Sequence, residues 1–295
     1  SMFVTNDVSL IIFVPLTILL LRQRRKEEYI LPLLAMENIA AVRGSLLTPF
    51  GSPQNLFLFA NSGMETGSFL LMMLPIWLMS IVLVSLFLLF IFRKELKPAP
   101  AGTPSANGDI ASAPAPGEWS PHRKYYRLMY LALFLTVIVC IVTRTDLWPY
   151  VTLLVALILL VCDRQVYTRV DYVLLLTFFC FFVFSSSIAG NEKIAGFLRS
   201  SVAGNEYWWS IGISQIISNV PAAIVLWPFT TDLRALIYGL DTAGLVTIIG
   251  SLASVINMRL YVKEYPGGAG AFMLTFEKVC LCFFVPVVLL QLLLI

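Results

Sequence analysis

The stretch Ser68–Phe92, SFLLMMLPIWLMSIVLVSLFLLFIF, contains no charged residue. About 20 such residues in helical form cross the hydrocarbon of a bilayer. A second stretch, Ala271–Ile295, closes the chain with only Glu277 and Lys278 as charges. In lipid every backbone polar group must be satisfied within the protein, so only helices and closed barrels span it. A barrel would show strict alternation of apolar and polar residues, and unbroken runs such as Val82–Phe92 oppose that. The fold class expected is therefore an all-α polytopic membrane protein. Composition agrees, at 59% hydrophobic and 13% charged, where soluble domains run nearer half and a quarter.

The same composition excludes several functions. Net charge is only +3 and the basic residues gather at the edges of apolar runs, so no nucleic-acid partner is expected. The chain has one histidine, His122, which leaves no basis for a His metal site or a Ser-His pair. The five cysteines, Cys140, Cys162, Cys180, Cys280 and Cys282, lie in or beside apolar spans and form no CxxC pair. No cofactor, no resident metal and no enzyme activity are expected. An intramembrane enzyme would need facing catalytic aspartates or a serine with its base.

Further spans are read at 125–142, 149–162 and 170–187, with a weakly amphipathic interfacial segment at 191–204. Val8–Leu21 reads as too short to span. Residues 98–121, PAPAGTPSANGDIASAPAPGEWSP, are the composition of a flexible linker.

Two segments look like copies. TNDVSLIIFVPLT at 5–17 and SNVPAAIVLWPFT at 218–230 pair Thr5 with Ser218, Asn6 with Asn219, and Pro15 with Pro228. Each is followed by a polar loop and a Gly-Ser-Leu segment, GSLLTPFGSPQN at 44–55 and GSLASVIN at 250–257, then by a span. Matching Gly44-Ser45-Leu46 with Gly250-Ser251-Leu252 makes this an internal duplication, the mark of secondary transporters. Lys and Arg mark cytoplasmic loops. Arg22, Arg24, Arg25 and Lys26 follow the first motif, whereas the second ends in the basic-poor TTDLR, so the copies are inverted. The division expected is a first repeat at 1–93, a cytoplasmic linker at 94–123 and a second repeat at 124–295. About three spans precede SNVP and nothing comparable precedes TND, so the first repeat reads as lacking its front part.

Pro221, and the Gly44, Pro49, Gly51 and Pro53 cluster, cannot sit in continuous helices. Broken backbone at membrane depth is tolerated where it lines a cavity. Side-chain oxygens and freed carbonyls there suit Na⁺, and half-helix N-termini suit an anion. The candidate ion and substrate residues are Thr5, Asn6, Asp7, Ser45, Thr48, Ser52, Asn55, Ser218, Asn219, Ser251 and Ser254. Asp7 adds a charge able to hold a cation or a proton. Arg43 is a candidate counter-charge for an anion, or a partner for Glu37.

TNDVSLIIFVPLT, TPFGSPQN and SNVPAAIVLWPFT resemble the signatures of the ion transporter superfamily, over most of the chain except the linker. The Asn-Asp form is similar to the arsenite-permease and citrate-permease-like branch, related to the divalent-anion:sodium symporters, and departs from their Ser-Asn-Thr form. The resemblance implies inverted repeats with two re-entrant hairpins and two broken helices. It also implies a homodimer, with elevator-type transport of a small anion, an inorganic oxyanion or a carboxylate, coupled to Na⁺ or H⁺. The location implied is a bacterial inner membrane with the C-terminus outside. A sodium/proton antiporter on the same scaffold and a transport-inactive truncated homologue are the alternatives.

Overall fold

The computed structural model describes residues 5–94, 121–143, 145–170 and 172–295. Most of the expected linker, 95–120, lies outside them. In chain order the helices are α1 (Asn6–Gln23), α2 (Ile30–Gly44), α3 (Pro53–Ser62), α4 (Thr66–Ile91), α5 (Pro121–Thr143), α6 (Trp148–Cys162) and α7 (Gln165–Arg169). They continue with α8 (Tyr172–Gly190), α9 (Glu192–Val202), α10 (Glu206–Ile217), α11 (Asn219–Leu226), α12 (Leu233–Ala243), α13 (Leu252–Glu264) and α14 (Ala269–Leu294). No strand occurs among the described residues. The chain is an all-α membrane protein.

Four described helices, α1, α4, α5 and α14, are long and apolar enough to cross a membrane. A fifth crossing results if α8 and α9, bent by 96°, count as one. One expectation is corrected here. The first apolar segment is not too short, because its helix begins at the polar Asn6 and runs 18 residues through Pro15 to Gln23. Hydropathy alone missed the polar first turn that belongs to the helix.

Packing divides the chain into two units. One comprises residues 89–170, where α5 lies against α6 and Tyr126 donates from its hydroxyl to the Cys162 carbonyl at 3.1 Å. The other comprises 1–88 and 171–295 and holds every element of the candidate site. This division by contact is separate from the proposed division by repeats.

In the larger unit the core is built from broken helices. The chain runs up α10, reverses at Ser218 and returns along α11, which packs on α10. The hairpin is closed at its base. The Glu206 carboxylate accepts from the Thr231 amide at 3.0 Å, the Thr231 hydroxyl at 2.6 Å and the Asp232 amide at 3.1 Å. Ser218 stands at the reversal with φ 70° and ψ 160°, a conformation that disfavours any side chain.

The segments after α2 and α12 are built alike. Leu46-Leu47-Thr48-Pro49-Phe50-Gly51-Ser52 and Leu245-Val246-Thr247-Ile248-Ile249-Gly250-Ser251 share Leu, Thr, Gly and Ser at the same positions. Each forms a 3₁₀ turn, at Pro49–Gly51 and at Ile248–Gly250, followed by a serine in extended backbone that opens α3 or α13. A Cβ on Gly51 would lie 2.2 Å from the Ser45 carbonyl oxygen, and one on Gly250 2.2 Å from that of Ala243. Both turns therefore need glycine. In local geometry Gly250-Ser251 matches Gly51-Ser52, a different register from the Gly44-Ser45 pairing read from sequence.

A polar knot ties three helices together. The Gln291 side-chain oxygen on α14 accepts from the Tyr207 hydroxyl of α10 at 2.8 Å and the Thr242 hydroxyl of α12 at 2.6 Å. Its amide donates to the Tyr238 carbonyl at 3.4 Å. All four residues are buried.

Candidate functional site

Four helices begin around one cavity. It has a volume of about 50 Å³ and is lined by Asn6 and Asp7 of α1, Pro53 and Gln54 of α3, Asn219 and Val220 of α11, and Ser251, Leu252 and Ala253 of α13. About 10–15 Å³ already holds one water, so the space takes a small ion with part of its hydration shell.

Each of these helices opens on a hydroxyl residue: Thr5, Ser52, Ser218 and Ser251. Such a residue usually accepts from an amide of its own first turn. None of the four does so here. The Ser52 and Ser218 hydroxyl oxygens are buried with no hydrogen-bond partner. First-turn amides have no intrahelical acceptor. Each helix N-terminus carries the equivalent of about +0.5 elementary charge, in a setting where water screens little. Four of them facing one cavity make it a place for negative charge or for strongly oriented dipoles.

Prolines serve the same geometry. Pro53 is the first residue of α3, where its missing amide hydrogen costs nothing. Pro221 is the third residue of α11 and removes one donor from that end. Asn6 turns its side-chain oxygen to the Asp7 amide at 3.0 Å, satisfying one donor of α1. The Asp7 Oδ1 is buried without a partner. A carboxylate beside four positive helix ends is the acceptor that a proton or a metal cation would complete.

The residues named from sequence fall into three groups. Asn6, Asp7, Asn219 and Ser251 line the cavity, and Thr5, Ser52 and Ser218 stand immediately before helices that point into it without capping them. Ser45, Thr48, Asn55 and Ser254 do not line it. Ser45 donates to the Val42 carbonyl at 2.7 Å, and Thr48 opens the 3₁₀ turn before α3. Ser254 accepts from the Asn38 amide at 3.0 Å, binding α13 to α2. Arg43 is elsewhere, 2% exposed, with Nε, Nη1 and Nη2 all lacking a hydrogen-bond partner. Glu37 does not pair with it, and instead accepts from the Thr17 hydroxyl.

Asp241 was missed from sequence. It lies on α12, 1% exposed, and accepts from the Gln54 amide at 3.2 Å and the Asn55 amide at 3.1 Å. It thereby orients the first turn of α3, which lines the cavity, and interacts electrostatically with Arg43. Its signal was present: an acidic residue inside the apolar ALIYGLDTAG is by default of functional interest in a membrane chain.

Helical membrane architecture, broken helices and a cavity ringed by helix ends fit the class of membrane transporters. The profile of the citrate transporter family CitMHS matches residues 1–250, and the chain belongs to that family. The inner membrane protein YbiR of Escherichia coli (strain K12) is 32% identical over 267 residues, covering 88% of this chain and 66% of that protein. The uncharacterized transporter MJ0456 of Methanocaldococcus jannaschii is 31% identical over 264 residues, covering 88% of this chain and 67% of the relative. The chain thus spans about two thirds of the length of these relatives. No solved structure matches it.

Proposed function

We propose that this protein is a secondary active transporter of a small anion, an inorganic oxyanion or a carboxylate, coupled to Na⁺ or H⁺. The observation that carries the reading is the convergence of four uncapped helix N-termini on one cavity. Positive helix ends replace the water shell of an anion without placing a fixed cation in its path. The family is that of citrate transporters, which makes citrate the first substrate to test.

In this reading the α10–α11 hairpin is re-entrant, and residues 1–93 and 124–295 are inverted repeats with the 94–123 segment cytoplasmic. The shared Leu-x-Thr-x-x-Gly-Ser turns support the repeat. Transport proceeds by an elevator movement in a homodimer, in an inner membrane, with the C-terminus outside.

The test is uptake of labelled citrate, phosphate and short carboxylates into proteoliposomes under an imposed Na⁺ or proton gradient. Gradient-driven uptake should fall at least tenfold in Asn6→Ala and Asn219→Ala. Uptake indifferent to both residues overturns the site. No uptake of any anion favours the transport-inactive homologue.

The unpartnered Asp7 Oδ1 favours one second reading, a sodium/proton antiporter with Asp7 as the exchange site. Asp7→Asn would abolish Na⁺-dependent proton efflux in that case. Anion uptake that survives the same substitution decides for the first reading.

A further inference from the structure

One acid within the helical core has no part in the cavity of the helix ends. Glu37 is the eighth of the 15 residues of α2, so it stands about 10 Å from either end of that helix at about 1.5 Å per residue. Its carboxyl makes one contact, between Oε1 and the Thr17 hydroxyl of α1. Oε2 is buried with no hydrogen-bond partner. The side chain borders a groove of about 250 Å³ between α1 and α2, whose other walls are Ser9, Leu10, Phe13, Ala40 and Ala41. The Ser9 hydroxyl already donates to the Thr5 carbonyl at 3.3 Å. No cation compensates the acid. The ionisable groups on the elements packed against α2 are Asp7 and Arg22 of α1, Glu27, Glu28 and Tyr29 of the turn before α2, Arg259, Tyr261 and Lys263 of α13, and Glu277, Lys278 and Cys280 of α14. None of them is bonded to Glu37 among the described residues, and Arg22 is taken by Glu264 at 2.9 Å. Arg43, six residues further along α2, makes no bond to it either.

A carboxylate with an empty buried oxygen, no cation and apolar walls is costly at this depth. A neutral carboxylic acid fits the same atoms. Its hydroxyl at Oε1 donates to the Thr17 oxygen, and Oε2 becomes a carbonyl oxygen, cheaper to leave unpaired than a charged one. We propose that Glu37 is a proton-binding site, neutral in this conformation, that exchanges its proton with water at the basic end of α1. Its use rests on the transporter reading: it carries the coupling proton of anion transport, at a place separate from Asp7. The step is a proton transfer alone. The carboxylate takes a proton from hydronium and leaves water, and the reverse step returns it. The buried Oε2 admits no metal cation, so the ligand is the proton itself. Thr17 is half-buried and five residues from Arg22, about 8 Å at about 1.5 Å per residue, so its hydroxyl is the way in.

The experiment has two arms. Infrared difference spectroscopy of the purified full chain in detergent reads the carbonyl stretch of a protonated carboxyl and needs no transport. A Glu37 band should be present at neutral pH, shift in heavy water, fade as the pH is raised and be absent in Glu37→Gln. Asp7→Asn should retain it. Thr17→Val should move it to higher frequency, as for an acid that has lost its hydrogen bond, whereas a mere tie between α1 and α2 predicts no acid band to move. The second arm is uptake of labelled citrate or phosphate into proteoliposomes with equal Na⁺ on both sides and an imposed pH gradient. Glu37→Gln should lose at least tenfold of this uptake and keep gradient-free exchange of the same anion. A missing Glu37 band, or one that neither exchanges nor titrates, overturns the proposal. So does pH-driven uptake that survives Glu37→Gln, or uptake by the unsubstituted protein that responds to Na⁺ and not to pH. No uptake of any anion by the unsubstituted protein counts against the transporter reading, and the infrared arm then decides the proton site.

Discussion

At the scale of single residues, the two turn glycines show what the backbone demands. Gly51 and Gly250 each face a carbonyl oxygen that a methyl group would strike. Substitution to alanine should therefore move the serine that follows, Ser52 or Ser251, and with it the start of α3 or α13. Each Gly→Ala change is expected to cost about 1–3 kcal/mol, the usual range for overpacking, read as a lower Tm in detergent. Gly67→Ala, where nothing lies within 4 Å of the added carbon, should leave the Tm unchanged or slightly raised. Asp241 is the other decisive residue. Asp241→Asn turns one acceptor into a donor that opposes the Gln54 or Asn55 amide, and should cost about 1–3 kcal/mol. It should also weaken whatever ligand stabilises the helix-end cavity, measured as a smaller ligand-induced rise in Tm. The polar ring of Asn6, Asp7, Asn219 and Ser251 was legible in sequence, because asparagine, serine and proline are conspicuous in apolar surroundings. Asp241 was passed over because its helix, α12, was not separated from the loop before it.

At the scale of elements, the α10–α11 hairpin depends on the clasp at its base. Glu206 lies at the open end of the hairpin, outside the helices long enough to span. Burial pushes its pKa up, but the hydrogen bonds from Thr231 and Asp232 outweigh it and hold the carboxyl below its ordinary value of 4.5. A depressed folded-state pKa contributes stability above that ordinary value and loses it as pH falls through the folded pKa. Unfolding measured across the acid range should show this loss below pH 4.5, and Glu206→Gln should lack it. Amide exchange should rise at Thr231 and Asp232 in that variant, while the α14 amides keep their protection. The hairpin itself was legible, since Ser-Asn-x-Pro breaks an apolar run. The clasp was not, because Glu206 and Thr231 are brought together only when the chain reverses at Ser218.

At the scale of the whole molecule, the larger unit is held by polar ties between helices distant in sequence. Apolar side chains gain little from leaving lipid for one another, so packing and hydrogen bonds must fix the arrangement. Gln291 serves α10, α12 and α14 together through Tyr207, Thr242 and Tyr238. Gln291→Leu strands two buried hydroxyl donors and should lower the Tm by an amount corresponding to about 1–2 kcal/mol. Gln291→Glu keeps an accepting oxygen but sets a buried carboxylate against the Tyr238 carbonyl, and should lose at least as much. Melting curves of the two variants in one detergent check the order.

Sequence alone determined the solvent of this protein and the places where its helices break. Hydropathy is additive along the chain, and proline and glycine act locally, so both are read without knowing the fold. It also exposed the paired Asn motifs at 5–7 and 218–220. The tertiary structure decided the rest: that four helix ends meet, and that the turns at Gly51-Ser52 and Gly250-Ser251 share one geometry. Helix ends act through direction and distance. Those follow from how α1, α3, α11 and α13 pack across more than two hundred positions of chain, which no local pattern encodes.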